Sequence, residues 1–339
     1  MGDILRIINK DDVNMSNWQI SHTMNVLTAT NNKLDILTRI SEILQSGISK
    51  KNIFIITRSY SFNSNYTGYF GENILRNNGI GYIDIVKISK MGILVPLMEN
   101  TRIEEINLLL AINKRINSYM REMHHCRFIS INLKRAYASL EIDGIDSAVE
   151  VLISGAKNQV RDIYSRRLNP DPINMQRDLR KLETIKNIKV SKTGNFSYYF
   201  NNTTRPIVGV YDAEKKSFYI INADQLYKGG EESKTQIKLE SITKNSPVAM
   251  TFVVVGAMAA VMGYLAYRDK KTDIPDDSMI KKDRMKMLNN VISANNSSAT
   301  KGGNCLCDAD VINLASDTCS KLEGALNKSK IELEKGQKE

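Results

Sequence analysis

Three adjacent residues, His124, His125 and Cys126, have side chains that can bind a metal or act in nucleophilic catalysis. Neighbouring residues of a helix or a strand point in different directions, so zinc sites use ligands spaced in pairs. His22 is the only other histidine of the chain, and no C-x2-C or H-x3-H pair occurs. We therefore expect no metal site and interpret the triplet as a buried or half-buried helix end.

Other signatures of catalysis are missing from the sequence. Cys126 with a histidine beside it as the base is a nucleophile in principle, but no second motif supports that chemistry. The glycines of Gly68–Gly71 and Gly79–Gly81 do not continue into a P-loop or a dinucleotide-binding motif. The sequence therefore predicts no catalytic residue, no cofactor and no small-molecule substrate, and it favours a protein that is not an enzyme.

The basic segment Lys157–Lys192 contains ten Lys or Arg residues and four acidic residues. Guanidinium and ammonium groups bind phosphate, so the segment predicts a surface for nucleic acid or for anionic lipid headgroups. The alternative is a solvated helical face with ion pairs between turns. The basic segment contains only one aromatic residue for base stacking, Tyr164. The residues expected to bind phosphate are Lys157, Arg161, Arg166, Arg167, Arg177, Arg180 and Lys181.

Two predicted helices, Asp146–Arg167 and Ile173–Asn187, position these cations. Asn169-Pro170-Asp171-Pro172 separates them, because proline cannot continue a helix. Upstream, the apolar spacing predicts a helix over Asn17–Ser46 and a strand over Asn52–Thr57, and it predicts a further helix from Thr101 to about Glu122. We therefore expect residues 1–187 to form an α/β or α+β domain.

Residues 188–245 are predicted to form a small antiparallel β-unit. Phe196–Phe200, Ile207–Tyr211 and Ser217–Asn222 are rich in aromatic and β-branched residues, which favour strands. The turn residues 212–216 make a hairpin of the second and third strands.

Pro247–Tyr267 is an apolar segment without a single charge. Its length corresponds to about 31 Å of helix, which matches the roughly 30 Å hydrocarbon core of a bilayer. The segment predicts a single-pass transmembrane helix, with a buried helix inside a soluble assembly as the alternative. Small residues favour close packing of such helices in lipid. The residues expected to associate are Ala249, Gly256, Ala260 and Gly263.

The orientation of this helix has two conflicting signals. Basic residues are more frequent after the apolar segment than before it, which favours a cytoplasmic tail. No signal peptide is recognised at the N-terminus, which favours a cytoplasmic N-terminal domain. We expect the N-terminal domain on the cytoplasmic side.

The tail is predicted to contain a flexible polar linker, residues 268–303, and an amphipathic helix within residues 304–339. The helix has an apolar seam suited to pairing with another helix. The seam consists of Ile312, Ala315, Cys319, Leu322, Leu326 and Leu333. Cys305, Cys307 and Cys319 are plain thiols if the tail faces the cytosol, and one would be available between chains if it faces an oxidising space.

Composition limits the class of partner. The 339-residue chain has a net charge of +10, which indicates acidic partners such as nucleic acid or an anionic membrane. Its many Asn, Ile and Lys residues are typical of an AT-rich coding sequence, such as that of a low-GC bacterium, a phage or a large DNA virus. A phage or viral component, associated with the virion, is one interpretation of this bias. The leading hypothesis is a non-enzymatic, membrane-anchored structural or assembly protein that self-associates. The alternative is a membrane-tethered protein that binds nucleic acid with the basic segment.

Overall fold

The computed structural model describes residues 3–9, 16–57, 80–169, 171–188, 194–226, 238–243, 249–254, 258, 261–262, 265, 277–294, 308–328 and 331–335. Most of these residues are helical, and the strands form two antiparallel sheets. The helices are α1 (Asn17–Gln45), α2 (Ile85–Ile88), α3 (Thr101–His124), α4 (Ser130–Asp143), α5 (Ile145–Ser165), α6 (Pro172–Ile185), α7 (Phe196–Asn202), α8 (Asp277–Ala294) and α9 (Ala309–Lys328). The strands are β1 (Asp3–Asn9), β2 (Ile53–Ile56), β3 (Gly81–Ile83), β4 (Leu94–Pro96), β5 (Ile207–Asp212), β6 (Ser217–Ile220), β7 (Lys238–Thr243), β8 (Ala249–Val254) and β9 (Ile331–Lys335).

A five-stranded sheet, in the order β3-β6-β5-β2-β4, forms the middle layer of the molecule. The predicted hairpin is confirmed, with Asp212 opposite Ser217, and it pairs directly with β2 rather than standing apart. All four residues of β2 are buried, which is the pattern of a strand covered on both faces. The sheet therefore needs a helical layer on each side.

Each face of this sheet belongs to its own hydrophobic cluster. Ile53 and Ile55 of β2 join the cluster that contains α1, α7, α8 and α9. Phe54 and Ile56 point the other way and join the cluster that contains α3, α4, α5 and α6. This alternation follows from the two-residue repeat of a strand. The basic helices α5 and α6 thus lie on the opposite side of the sheet from α1 and α9.

The predicted strand Phe196–Phe200 is wrong, because these residues form α7. The side chain of Asn195 accepts a hydrogen bond of 2.8 Å from the backbone N–H of Ser197 and caps the helix. Phe196 and Phe200 are one turn apart, and both are buried.

The prediction of a transmembrane helix at Pro247–Tyr267 is wrong. Ala249–Val254 is a strand, β8, which pairs on one side with β7 and on the other with β1. The described positions after it, Met258, Val261, Met262 and Leu265, are helical and buried in the same cluster as α1 and α9. Their spacing puts them on one helical face. The described residues of the apolar segment are therefore divided between a sheet and the protein core.

Within the described part of the chain, no helix combines the length and the apolar character needed to cross a bilayer. The predicted single-pass membrane location is therefore contradicted, and with it the fold class that included one transmembrane helix. The fold is instead mostly helical, with antiparallel sheets. An uncharged segment is equally suited to lipid and to a protein core, so its composition alone did not distinguish the two.

The tail is integrated into the fold. Residues 268–303, predicted as a linker, contain α8, and Arg284 of α8 forms an ion pair of 2.6 Å with Glu323 of α9. The predicted tail helix is present as α9, and its seam from Ile312 to Leu326 is buried in the cluster that contains α1. Leu333 lies in β9, which pairs with β1.

Candidate nucleic-acid interface

The two predicted basic helices are confirmed as α5 and α6. Proline at the first position of α6 and Asp171 before it explain where that helix begins. The carboxylate of Asp171 accepts hydrogen bonds from the backbone N–H groups of Ile173, at 2.9 Å, and Asn174, at 3.1 Å. These bonds satisfy two of the N–H groups left free at a helix start.

The rotation of α6 about its own axis decides which side chains reach solvent. Leu179, Leu182 and Ile185 face the core, together with Asp178. Arg177, Arg180 and Lys181 lie outside this buried face and are exposed. With Gln176 and Thr184 they line a surface groove of about 560 Å³, whose described lining comes from α6. We name this surface the α6 basic face.

A buried polar cluster fixes this rotation. The Tyr164 hydroxyl of α5 donates a hydrogen bond of 2.9 Å to Oδ2 of Asp178. His124 Nε2, at the end of α3, lies 3.3 Å from the same oxygen, and both side chains are nearly inaccessible to solvent. The His124 ring packs edge to face against Tyr119 and Tyr164. Burial lowers the pKa of His124, although the nearby Asp178 carboxylate partly opposes that effect.

Lys157 of α5 was predicted to bind phosphate, but its side chain is paired with a carboxylate of the protein itself. Its ammonium group forms an ion pair with Glu183 of α6, which also binds Lys186. The two ammonium groups lower the pKa of Glu183 to about 2. This arrangement is the ion-paired helical face that the sequence offered as the alternative.

Arg161, Arg166 and Arg167 occupy the last turns of α5 and the residues just after it. Arg166 forms an ion pair of 2.8 Å with Asp162, one turn earlier. Arg161 donates a hydrogen bond of 2.9 Å to the Asn158 side chain and has no carboxylate partner among the described residues. The Arg167 guanidinium lies 4.2 Å from the centre of the Tyr164 ring. All three side chains are exposed.

The small residues predicted to pack two transmembrane helices together are not found on a helix surface where the structure describes them. Ala249 begins β8 and lies opposite Thr243 and Ile8 in the sheet, so it is not on a helix surface. Gly256, Ala260 and Gly263 lie outside the described residues.

The His124-His125-Cys126 triplet ends α3, as the sequence predicted. His125 adopts a left-handed backbone conformation, with φ of 49°, just after the helix. Cys126 is half-buried, and burial raises the pKa of its thiol. In the described parts of the chain, no group of three or more His, Cys, Asp or Glu side chains is arranged to hold a metal.

Sequence reasoning missed a second groove, which we name the lysine groove. Lys33 of α1 and Lys321 of α9 line it together with the residues that follow α7, and its volume is about 390 Å³. The one signal in the sequence is that Lys33 stands beside Leu34, on the apolar side of a predicted helix. Residue 321 is too far along the chain for any local pattern to connect the two lysines.

Comparison of the chain with protein-family models, with curated proteins and with solved structures finds no match.

Proposed function

We propose that this protein binds double-stranded DNA through the α6 basic face. The observation that carries the proposal is the state of Arg177, Arg180 and Lys181. All three are exposed, and none has a carboxylate partner among the residues that the structure describes. Exposed cations without internal partners are free to replace the counterions of a phosphate backbone.

The dimensions and the side chains of α6 suit a duplex. Its 14 residues span about 21 Å, and the major groove of B-DNA is wide enough to admit one helix. Arginine binds phosphate or guanine through two hydrogen bonds, and Gln176 and Thr184 offer groups that bind base edges or phosphates. The net charge of +10 favours encounter with a polyanion.

Single-stranded nucleic acid is a poorer match to this surface. Proteins that bind single strands stack bases on exposed aromatic side chains. Tyr164, the only aromatic residue of the basic segment, is buried and its hydroxyl is bonded to Asp178. It therefore offers no platform for a base.

An anionic lipid surface is also a poorer match. A helix that binds at a membrane surface buries an apolar face between the lipids. The apolar face of α6, formed by Leu179, Leu182 and Ile185, is already packed against the core. Leu168 and Ile173 are exposed near the cations, but two isolated side chains do not form the continuous apolar face of a membrane-surface helix.

Binding of the full chain to a fluorescent DNA duplex, measured by anisotropy, tests the proposal. The triple variant Arg177→Gln, Arg180→Gln, Lys181→Gln should bind about ten-fold or more weakly, since each lost contact removes an ion pair with phosphate. The triple variant Lys282→Gln, Lys286→Gln, Lys328→Gln is the matched control, because it loses the same charge from α8 and α9 across the sheet. Equal weakening of both variants would contradict a specific interface. Stronger binding to anionic vesicles than to the duplex would also contradict it.

Self-association as a structural or assembly protein stays a prediction. The described seam residues of α9 are buried within the chain, and Ala249 lies in a sheet. The proposal of DNA binding depends on neither surface.

A further inference from the structure

Two ammonium groups converge on one backbone oxygen in the lysine groove. Lys33 Nζ donates a hydrogen bond of 3.1 Å to the carbonyl oxygen of Asn201, and Lys321 Nζ donates one of 2.7 Å to the same atom. Asn201 lies in the last turn of α7, where helix carbonyls lack partners within the helix. One neutral acceptor thus holds two positive charges close together.

The charge of Lys33 is not neutralised by any described residue. Its side chain is buried, and no described carboxylate lies within ion-pair distance of it. Asp317 accepts a hydrogen bond of 3.2 Å from the Asn201 side chain. Burial, and then the positive charge of Lys321, lower the pKa of Lys33 to about 8.

The surroundings of the two lysines offer further hydrogen-bond donors. Thr203 and Thr204 line the groove just after α7, and their hydroxyls have no partner among the described residues. The groove continues along α1 as far as His22, whose ring stacks on exposed Trp18 with 5.2 Å between the centroids. Its volume of about 390 Å³ leaves room for more than an inorganic ion.

We propose that the lysine groove binds a small phosphate monoester, with the phosphate between Lys33 and Lys321. A dianionic phosphate would accept charge-assisted hydrogen bonds from both ammonium groups and from the threonine hydroxyls. It would also remove the repulsion between two like charges that now share one carbonyl. The organic part of the ester would extend along α1 toward His22. This site lies across the sheet from the α6 basic face and is independent of DNA binding.

Calorimetric titration of the full chain with inorganic phosphate tests the inference. The variants Lys33→Met and Lys321→Met each remove one ammonium group and keep an unbranched side chain. Lys286→Met on exposed α8 is the matched control. Saturable binding to the wild type and to the control, about ten-fold or more weaker in both groove variants, is the expected result. No saturable binding to the wild type, or equal affinity in all four proteins, would overturn the proposal.

Two further measurements keep the test decisive. Thermal melting followed by circular dichroism shows whether each variant folds. The Lys321 side chain is exposed, so Lys321→Met tests phosphate binding if Lys33→Met does not fold. Glycerol 3-phosphate should displace inorganic phosphate from the wild type. Binding of inorganic phosphate without displacement by the ester would show that the groove does not accept a monoester.

Discussion

The hydroxyl of Tyr164 on α5 donates a hydrogen bond of 2.9 Å to the buried carboxylate of Asp178 on α6. Asp178 immediately follows Arg177, whose side chain is exposed. One buried bond therefore helps to determine which side chains α6 presents to solvent. The proposed interface and the stability of the helical layer are linked through this pair of residues.

Substitution of Tyr164 by phenylalanine should lower the free energy of unfolding by about 1–3 kcal/mol. The variant leaves the buried Asp178 carboxylate without this donor. Urea unfolding measures the loss. Tyr198→Phe is the control, because the Tyr198 ring is exposed, and it should change the free energy by less than about 0.5 kcal/mol. Equal effects of the two variants would mean that the buried bond contributes little.

The pH dependence of stability should show that His124 is held neutral. Its pKa in the folded protein lies below the ordinary value of 6.5, chiefly because of burial, so the unfolded chain binds more protons near that pH. The free energy of unfolding should consequently fall as the pH decreases from about 7 to about 5. His124→Phe, which keeps a ring between Tyr119 and Tyr164, should reduce this dependence. If wild type instead gained stability relative to the variant at low pH, His124 would be forming an ion pair with Asp178.

Substitution of Leu265 tests whether the apolar segment contributes to the protein core. The Leu265 side chain is buried in the core, so Leu265→Ala should lower the free energy of unfolding by about 2–5 kcal/mol. Leu168→Ala is the control, since Leu168 is fully exposed, and it should have an effect below about 0.5 kcal/mol. Urea unfolding of both variants decides the matter. A negligible loss at Leu265 would show that this side chain is not packed as described.

The Lys33 ammonium should titrate well below an ordinary lysine. Reductive methylation with a carbon-13 label gives each lysine an NMR signal that reports its pKa. One signal should titrate at about pH 8, because burial and Lys321 both disfavour the charged form. The signal should be missing from Lys33→Met, and in Lys321→Met its midpoint should rise. A Lys33 signal that titrates near 10.5, the ordinary value, would show that the amine is solvated.

Local signals explain what the sequence could predict of the fold. Asp171 and Pro172 start α6 as a separate helix, the turn 212–216 closes its hairpin, and the apolar spacing of α9 identifies a helix. The helix prediction for Ala249–Val254 was wrong because this segment is a strand whose partners, β1 and β7, are set by tertiary pairing. The strand prediction for Phe196–Phe200 was wrong because an asparagine cap and the packing of two rings outweigh the β-propensity of aromatic residues.

The candidate site was predictable in composition but not in detail. The sequence identified the basic segment, and Arg177, Arg180 and Lys181 are exposed in it. It could not show that Lys157 forms an ion pair with Glu183, which is 26 residues away. The lysine groove was out of reach for the same reason, since the pairing of Lys33 with Lys321 exists only after the chain folds.

The salt dependence of DNA binding is the most direct test of the proposed function. Each phosphate contact contributes about 0.9 to the slope of log affinity against log salt concentration on duplex DNA. The variant with glutamine at Arg177, Arg180 and Lys181 should therefore have a slope shallower than that of wild type by up to about 3. The control variant at Lys282, Lys286 and Lys328 should keep the wild-type slope. The same slope in all three proteins, or a wild-type slope near zero, would contradict DNA binding by the α6 basic face.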